Sequence, residues 1–392
     1  MAAKYILPTL ALAGAALAQC SGDLTIHTSS DASGIQDCQT YKGDVTIADD
    51  ASGTIQLNGV QAISGDLIVN NATQLTAITS DQLNAISGTF SLTGLTILST
   101  LQFDSLSAVN KINWIGLPAL QQLNFNQGIS RANSIVISNT QLNTLTGIEL
   151  TAVGSMNINN NPYLTTINVN GLKNVTNALS FSANGRDLEI SFPNLEAAAN
   201  LTFRNVSSIS MPSLSSVQGD MGFYSDTFES FAAPNLTKTG GSLAIVDSPD
   251  LKSLSFPQLQ TIGGGFLIAN NTNLKSIVGF PKLTTIVGAL DFAGTFNAVS
   301  LPRLHDVRGG DNVQTTSTNS SICDSFDQAV SLGIIKGVNN CVTSKANPQT
   351  SDTSGSGSSS SSTSSGAASP AIFDPSAPMT GVWAIIAALL FI

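Results

Sequence analysis

Residues 257–294 read PQLQTIGGGFLIANNTNLKSIVGFPKLTTIVGALDFAG and hold one full repeat and the start of the next. An apolar-x-apolar triplet begins at Phe266 and again at Leu290, and each triplet follows a proline-led unit that closes on glycine (PQLQTIGG, PKLTTIVG). Between them, Leu274 and Ile277 form a second apolar pair. Alternation with period two predicts short strands with one inward face, and glycine suits the turns between them. One unit is therefore strand, turn, strand, turn, strand.

The same unit runs through most of the chain. Triplets recur every 20–24 residues, starting at Val45, Leu67, Phe90, Ile112, Ile135, Met156, Leu179, Leu201, Met221, Leu243, Phe266 and Leu290. A single coil of this size cannot bury its apolar face, whereas stacked coils share one core. The sequence thus predicts an all-β fold: one parallel β-solenoid of about twelve coils, roughly 55–60 Å long at about 4.8 Å per coil.

Four cysteines flank the repeats as two local pairs, Cys20–Cys38 and Cys323–Cys341, each 18 residues apart. An even count in an exported chain predicts two disulfides, and we expect them to cap the open strand edges at the two ends. Neither pair has the CxxC spacing of a zinc site, so a metal site is disfavoured and no cofactor is expected. Residues 324–332 are predicted to form a short helix in the second cap.

The N-terminus has the form of a secretory signal peptide. Lys4 gives the positive region, a short apolar run follows, and Ala16-Leu17-Ala18 supplies a small-x-small cleavage site. We expect residues 1–18 to be removed and residues 19–345 to form the solenoid with its caps.

The C-terminus has the form of a glycosylphosphatidylinositol (GPI) attachment signal. Residues 379–392 are apolar, too few to span a bilayer as a helix, and no lysine or arginine follows Lys345. Small residues precede this tail, which predicts attachment at Gly366, with Ser365 and Ala367 as alternatives. Residues 346–366 are rich in Ser and Thr and predict a disordered, O-glycosylated stalk, and residues 367–392 are the removed propeptide.

The charge and composition of the chain limit the classes of molecule that its surface can bind. The formal net charge is −10 and only 10% of residues are charged, so the surface offers few cations to nucleic acid or to anionic lipid. Contact with the membrane is then expected only through the GPI lipid. N-glycosylation is predicted at seven Asn-x-Ser/Thr sequons, Asn71, Asn174, Asn200, Asn205, Asn235, Asn270 and Asn319.

The sequence contains no convincing set of catalytic residues. The only histidines, His27 and His305, stand apart from any Gly-x-Ser-x-Gly turn, and the four glutamates, Glu149, Glu189, Glu196 and Glu229, form no recurring carboxylate pair. The glycines 263–265 lack the following Lys-Ser/Thr of a phosphate loop and predict a turn. We therefore expect no catalytic residues and no enzymatic activity.

The aromatic residues and the asparagines each allow a prediction about how the coils pack. Phe181, Phe203, Phe223 and Phe292 share one triplet slot, as does Trp114, which predicts a stacked core rather than an outward sugar platform. Asparagines recur just after the triplets, for example at Asn70, Asn160, Asn270 and Asn271. They either form a buried ladder that bonds neighbouring coils or are turn formers, and the sequence leaves both open.

The order of these features resembles one family. A signal peptide, two terminal cysteine pairs, the triplets and PxLxx[I/V]xG units, a Ser-rich stalk and a GPI tail together resemble the fungal GPI-anchored cell-wall organisation proteins of the ECM type, whose repeats are similar to receptor L-domains. The resemblance covers the whole chain. It implies a place on the outer leaflet of the plasma membrane or in the wall, and a role in wall organisation and integrity without known catalysis.

Two functions follow as hypotheses. The first is a non-enzymatic wall-organising glycoprotein whose partners are wall polysaccharides or mannoproteins. The alternative is a receptor-like or adhesive module that binds a wall glycan or protein ligand through the solenoid face.

Overall fold

The computed structural model describes residues 20–351, which form a parallel β-solenoid of about 13 turns. Every strand pairing is parallel, and register partners lie 19–24 residues apart in most coils and 28 apart at the last coil. The predicted fold class is confirmed. Each coil carries strands on three faces, named here the main, second and third ladders.

The main ladder contains the triplets. Its strands are β1 (Leu24–Ile26), β3 (Val45–Ile47), β6 (Leu67–Asn70), β8 (Ala85–Thr93), β10 (Ala108–Leu117), β11 (Ser134–Thr140), β12 (Ala152–Asn159), β14 (Asn174–Ser182), β16 (Ala197–Arg204), β19 (Met221–Tyr224), β22 (Leu243–Val246), β25 (Phe266–Ala269), β28 (Leu290–Gly294), β31 (Asp311–Thr315) and β32 (Asn339–Val342).

The second ladder lies just before the main one along each coil and belongs to the same 22-stranded sheet. Its separate strands are β2 (Thr40–Tyr41), β5 (Ala62–Ile63), β18 (Ser216–Val217), β21 (Lys238–Thr239), β24 (Thr261–Ile262), β27 (Thr285–Ile286) and β30 (Asp306–Val307). In several middle coils the two strands run on as one, with a bulge between them, as in β10, β12 and β14.

The third ladder is broken into four small sheets. They contain β4 (Ser52–Gln56), β7 (Gln74–Ser80) and β9 (Thr100–Phe103); β13 (Thr166–Asn168), β15 (Glu189–Ser191) and β17 (Ser208–Ser210); β20 (Ser230–Ala232) and β23 (Ser253–Ser255); and β26 (Ser276–Ile277) and β29 (Ala298–Val299).

The core is one continuous stack of inward side chains from all three ladders. Phe181, Phe203 and Phe223 are at most 1% exposed, and their rings stack at centroid distances of 5.8 and 5.5 Å. Trp114 is fully buried and packs edge-on against Phe90 at 5.6 Å. The predicted aromatic core is confirmed, because burial of these rings removes a large apolar area from water.

Both ends carry a cap with a disulfide. At the start, α1 (Ser29–Ala32) and a 3-10 turn (Ser33–Ile35) lie inside the loop closed by Cys20–Cys38. At the end, Cys323–Cys341 joins α2 (Ser321–Ser331) to β32. The predicted second-cap helix is present but begins three residues earlier, where the Asn319 side chain accepts hydrogen bonds from the backbone nitrogen and hydroxyl of Ser321.

Residues 20–351 contain no helix that is long and apolar enough to cross a bilayer. The predicted signal peptide, Gly366 with its alternatives, and the propeptide lie outside the described residues.

Candidate functional site

The titratable side chains considered for catalysis are spread over the rod. His27 contacts Asp50 at 2.7 Å at the N-terminal cap, where both side chains are more than half exposed, and the hydrogen bond and charge of Asp50 raise the pKa of His27. His305 is exposed and its Nδ1 faces the Arg303 carbonyl at 3.2 Å. These two histidines lie at opposite ends of the repeats and share no nucleophile.

The glutamates are also separate. Glu149, Glu189, Glu196 and Glu229 are all exposed, and Glu229 is paired with Lys252 at 2.7 Å. Across residues 20–351, no group of three or more His, Cys, Asp or Glu side chains is arranged to hold a metal ion. The described part of the chain thus offers no assembled catalytic constellation.

The glycines 263–265 serve coil packing. A Cβ on Gly263 would lie 2.1 Å from the Gly240 carbonyl oxygen, and one on Gly264 would lie 2.4 Å from Ser242 Oγ. Real Cβ atoms do not approach so closely, so only glycine lets successive coils stack here. The prediction of a turn instead of a phosphate loop is confirmed.

The asparagines after the triplets perform both of the functions that the sequence left open. Asn160 and Asn270 have positive φ (54° and 57°) and form the turn, which Asn tolerates better than most residues. The next residue in each coil is buried: Asn161 donates to the Ile137 carbonyl at 3.1 Å, and Asn271 donates to the Ile245 carbonyl at 2.8 Å. The turn and the ladder are therefore formed by adjacent residues.

One ladder position holds an acid that sequence reasoning missed. Asp226 is fully buried, its Oδ1 accepts a hydrogen bond from the Val206 nitrogen at 2.8 Å, and its Oδ2 has no partner among the described residues. Burial raises its pKa to about 7. The signal was its register: it occupies the slot that Asn161 and Asn271 occupy in other coils.

The sequons fall into distinct environments. Asn71, Asn205 and Asn270 all have positive φ and project from the same edge of the rod, exposed. Asn200 instead donates to the Asn177 carbonyl at 3.1 Å and accepts from the Asp220 nitrogen at 3.0 Å, so its amide is part of the coil contacts. Occupancy of all seven stays a prediction, and Asn200 is the only one of the seven whose side chain is not exposed.

The outer face of the main ladder changes along the rod. In the C-terminal half it is apolar and covered, with Tyr224, Ala244, Leu267, Ala269 and Ala293 at most 4% exposed. Residues 343–351, named here the strap, turn back from β32 and cross this face at β31 and β28.

The strap is held by specific contacts. The Gln349 nitrogen donates to Gln314 Oε1 at 3.0 Å, and the Gln349 carbonyl accepts from Asn312 at 3.0 Å. The nitrogen and hydroxyl of Ser351 both donate to Asp291 Oδ2, at 2.8 and 2.7 Å. The first six residues of the predicted stalk, 346–351, are thus packed on the solenoid, and the face free for a partner lies nearer the N-terminus.

A cavity lies on that free part, where the second ladder bends into the main ladder. This groove measures about 610 Å³ and crosses four to five coils. Its floor is formed by small or β-branched residues of the second ladder, and its polar lining comprises Ser87, Asn110, Ser130, Arg131, Asn133, Thr151 and Thr176.

Neighbouring coils place equivalent polar groups side by side in the groove. Asn110 and Asn133 lie on successive coils, joined by a backbone hydrogen bond of 2.8 Å, and both side chains are exposed. Neither amide, nor the guanidinium of Arg131, makes a side-chain hydrogen bond with any described residue. The lining contains no carboxylate, although the chain as a whole carries a net charge of −10. The groove can therefore bind an uncharged, hydroxyl-rich ligand through unengaged donors and acceptors.

Fold and groove together define a class: a disulfide-capped, leucine-rich-repeat-like β-solenoid with a polar groove. Comparison with known proteins identifies the family within this class. The sequence model of the family described as "Ecm33: GPI-anchored cell wall organization protein" matches residues 1–35. The chain is 43% identical to "Protein ecm33" of Aspergillus fumigatus over 355 residues, which span 90% of this chain and 88% of that protein.

Two further relatives belong to the same family. "Cell surface GPI-anchored protein ECM33" of Candida albicans is 34% identical over 81% of this chain and 77% of its own length, and "Cell wall protein ecm33" of Schizosaccharomyces pombe is 33% identical over 80% and 75%. No solved structure matches the chain. The protein belongs to the Ecm33 family of GPI-anchored cell wall organisation proteins. The resemblance seen in the sequence and the predicted location at the cell surface or in the wall are confirmed.

Proposed function

We propose that this protein organises the wall by binding and not by catalysis, with the groove as the site that holds a wall polysaccharide or the glycan of a wall mannoprotein. The observation that carries the proposal is the row of unengaged amide and hydroxyl groups from successive coils. Each coil repeats at about 4.8 Å, a step comparable to one sugar unit of an extended chain. Successive sugars of a linear glycan would then meet equivalent groups.

The chemistry of the lining fits this ligand class. Amides offer both a donor and an acceptor to sugar hydroxyls, and the groove holds no carboxylate that would repel an anionic substituent on the glycan. The lining lacks aromatic rings, so each sugar contributes only modest hydrogen-bond energy. We therefore expect weak individual contacts and useful retention through many of them along one polymer.

Retention on wall fractions tests the proposal. The glycosylated protein, released from membranes by phospholipase, is mixed with insoluble glucan, chitin and mannoprotein fractions, and the bound share is measured. Replacing Asn110 and Asn133 together by Ala should reduce binding to one fraction about tenfold or more, since two hydrogen-bonding side chains are lost.

The matched control is the pair Asn143→Ala and Asn168→Ala, two exposed asparagines on or beside the third ladder, which should bind like the wild type. Equal binding by the groove variant and the wild type would refute the groove assignment. Release of soluble sugar from any fraction during the same incubation would refute the non-catalytic part.

A second candidate function is a receptor-like or adhesive module that binds a protein ligand. One observation favours it: the outer face of the main ladder in the N-terminal half is a broad row of half-buried side chains, with Ile68 and Val136 among them. A folded partner can rest on such a flat face. A saturable protein ligand whose binding survives the groove variant but is lost in Ile68→Arg would favour this function.

A further inference from the structure

The C-terminal cap brings together three oxygen-bearing side chains. Asp311 begins β31 and is the register partner of Asn339 on the neighbouring β32. Asn339 Nδ2 donates to Asp327 Oδ1 on α2 at 2.6 Å. The last strand, the strand before it and the helix therefore each contribute one of these side chains.

Asp311 is the unusual member of this group. It lies in register with Leu290 of the preceding coil, a position that is fully buried and apolar there. Asp311 itself is only 3% exposed, and neither of its carboxylate oxygens has a hydrogen-bond partner among the described residues. Asn339 Oδ1 is also buried and without a partner there. Buried oxygens of this kind cost free energy unless something binds them.

The surrounding cap holds the group rigidly. The Cys323–Cys341 disulfide ties α2 to β32. Asp327 lies four residues after Cys323, one helical turn on, and Asn339 lies two residues before Cys341 on the same strand face. The three oxygen donors are thus positioned before any ligand arrives, which lowers the entropic cost of binding.

The neighbouring cations are engaged elsewhere. Lys336 and Arg308 both bind Asp306, at 2.5 and 3.1 Å. Burial, and then the negative charge of Asp327, raise the pKa of Asp311 to about 6. Asp311 and Asp327 lie on either side of Asn339 and have no positive partner among the described residues, and this is the electrostatic condition that a metal ion relieves.

We propose that Asp311, Asp327 and Asn339 form a calcium site that closes the C-terminal end of the solenoid. Carboxylate and amide oxygens are the ligands that Ca²⁺ prefers, and it accepts bidentate carboxylates and water in a flexible shell of about six to eight oxygens. Asp327 is exposed, which leaves room for water on that side. With a single rigid carboxylate pair and several waters, we expect affinity in the range of extracellular calcium modules, about 10⁻⁴–10⁻³ M.

Calorimetric titration with CaCl₂ tests the proposal on the whole glycosylated protein. At about pH 7.5 the wild type should bind Ca²⁺ at this site, and its unfolding midpoint should rise by about 2 °C with Ca²⁺ in excess over chelator. Asp311→Asn should lose this binding and become insensitive to Ca²⁺. Asp327→Asn, at an exposed position, should fold like the wild type and lose this binding as well.

Two controls separate the site from general charge effects. Asp226→Asn removes another buried acid, and Asp250→Asn removes an exposed one; both should keep the wild-type response to Ca²⁺. Absence of calcium binding in the wild type, or an unchanged response in Asp311→Asn and Asp327→Asn, would overturn the proposal and leave Asp311 as a carboxyl group neutralised by a proton.

Discussion

Single residues decide how successive coils join. After several main-ladder strands, one residue turns the chain with positive φ, and in some of these coils the next side chain bonds the neighbouring coil, as Asn270 and Asn271 show. The sequence revealed that asparagines recur here. It could not separate the two roles, because both suit the same residue type and differ only in which side of the turn each faces.

The buried carboxyl group of Asp226 predicts that the stability of the protein depends on pH. Its folded pKa of about 7 is well above the ordinary value of 3.8, so the folded protein binds the proton more tightly than the unfolded chain does. The stabilising effect of that proton is complete below about pH 4 and is lost as pH rises through about 7, by a few kcal/mol. Asp226→Asn should remove this dependence and be more stable than the wild type at neutral pH.

The measurement is the free energy of unfolding in urea across that pH range. In the Asn variant the new amide is expected to donate to the Phe203 carbonyl of the preceding coil, as Asn271 does to the Ile245 carbonyl of the coil before it. Asp250→Asn, at an exposed turn, serves as the control and should keep the wild-type slope. A variant that tracks the wild type across the whole range would mean that Asp226 is ionised and hydrated in the folded protein.

At the scale of elements, the two ends differ from the repeats between them. The triplet pattern ends at Leu290, yet the main ladder continues through β31 and β32. Asp311 and Asn339 fill the first triplet positions of those strands, so a search for apolar pairs could not find them. The strands form all the same because parallel pairing with the preceding coil satisfies their backbone groups.

The C-terminal disulfide should hold this end in place. Replacing Cys323 and Cys341 together by Ser should destabilise the cap by about 3 kcal/mol, the value typical of a closed loop of this size. Hydrogen exchange should accelerate in α2 and β32 first, while the central coils stay protected, since each coil contacts mainly its neighbours. Uniform acceleration along the rod would show instead that the solenoid unfolds as one unit.

At the scale of the whole molecule, the sequence predicted the rod, its three-strand coils and its capped ends, because period-two alternation and a repeat of 20–24 residues leave few other architectures. It did not predict the strap. The residues of the strap are polar and resemble a linker in composition, and only the buried partners Gln314 and Asp291 in other coils give them a place. The groove was missed for a similar reason, since it arises where bulges bend neighbouring strands.

The GPI anchor at the C-terminus is a further prediction about the whole molecule. We expect a phosphatidylinositol-specific phospholipase to release the protein from membranes, and mass spectrometry to find the lipid remnant on Gly366, with Ser365 or Ala367 as alternatives. The reason is the uncharged apolar tail behind a cluster of small residues. A mature C-terminal peptide that ends at Ile392 would contradict this.

We propose that the protein acts in wall organisation through the groove of an intact solenoid and not through a titratable group. The most direct measurement is survival under wall stress of strains that lack the protein and each express one variant at matched surface levels. Glu189→Ala, His305→Ala and the control pair Asn143→Ala with Asn168→Ala should restore survival, whereas Asn110→Ala with Asn133→Ala should fail although it is folded and displayed. Full rescue by the groove variant, or failure of Glu189→Ala or His305→Ala with normal folding and display, would contradict the account.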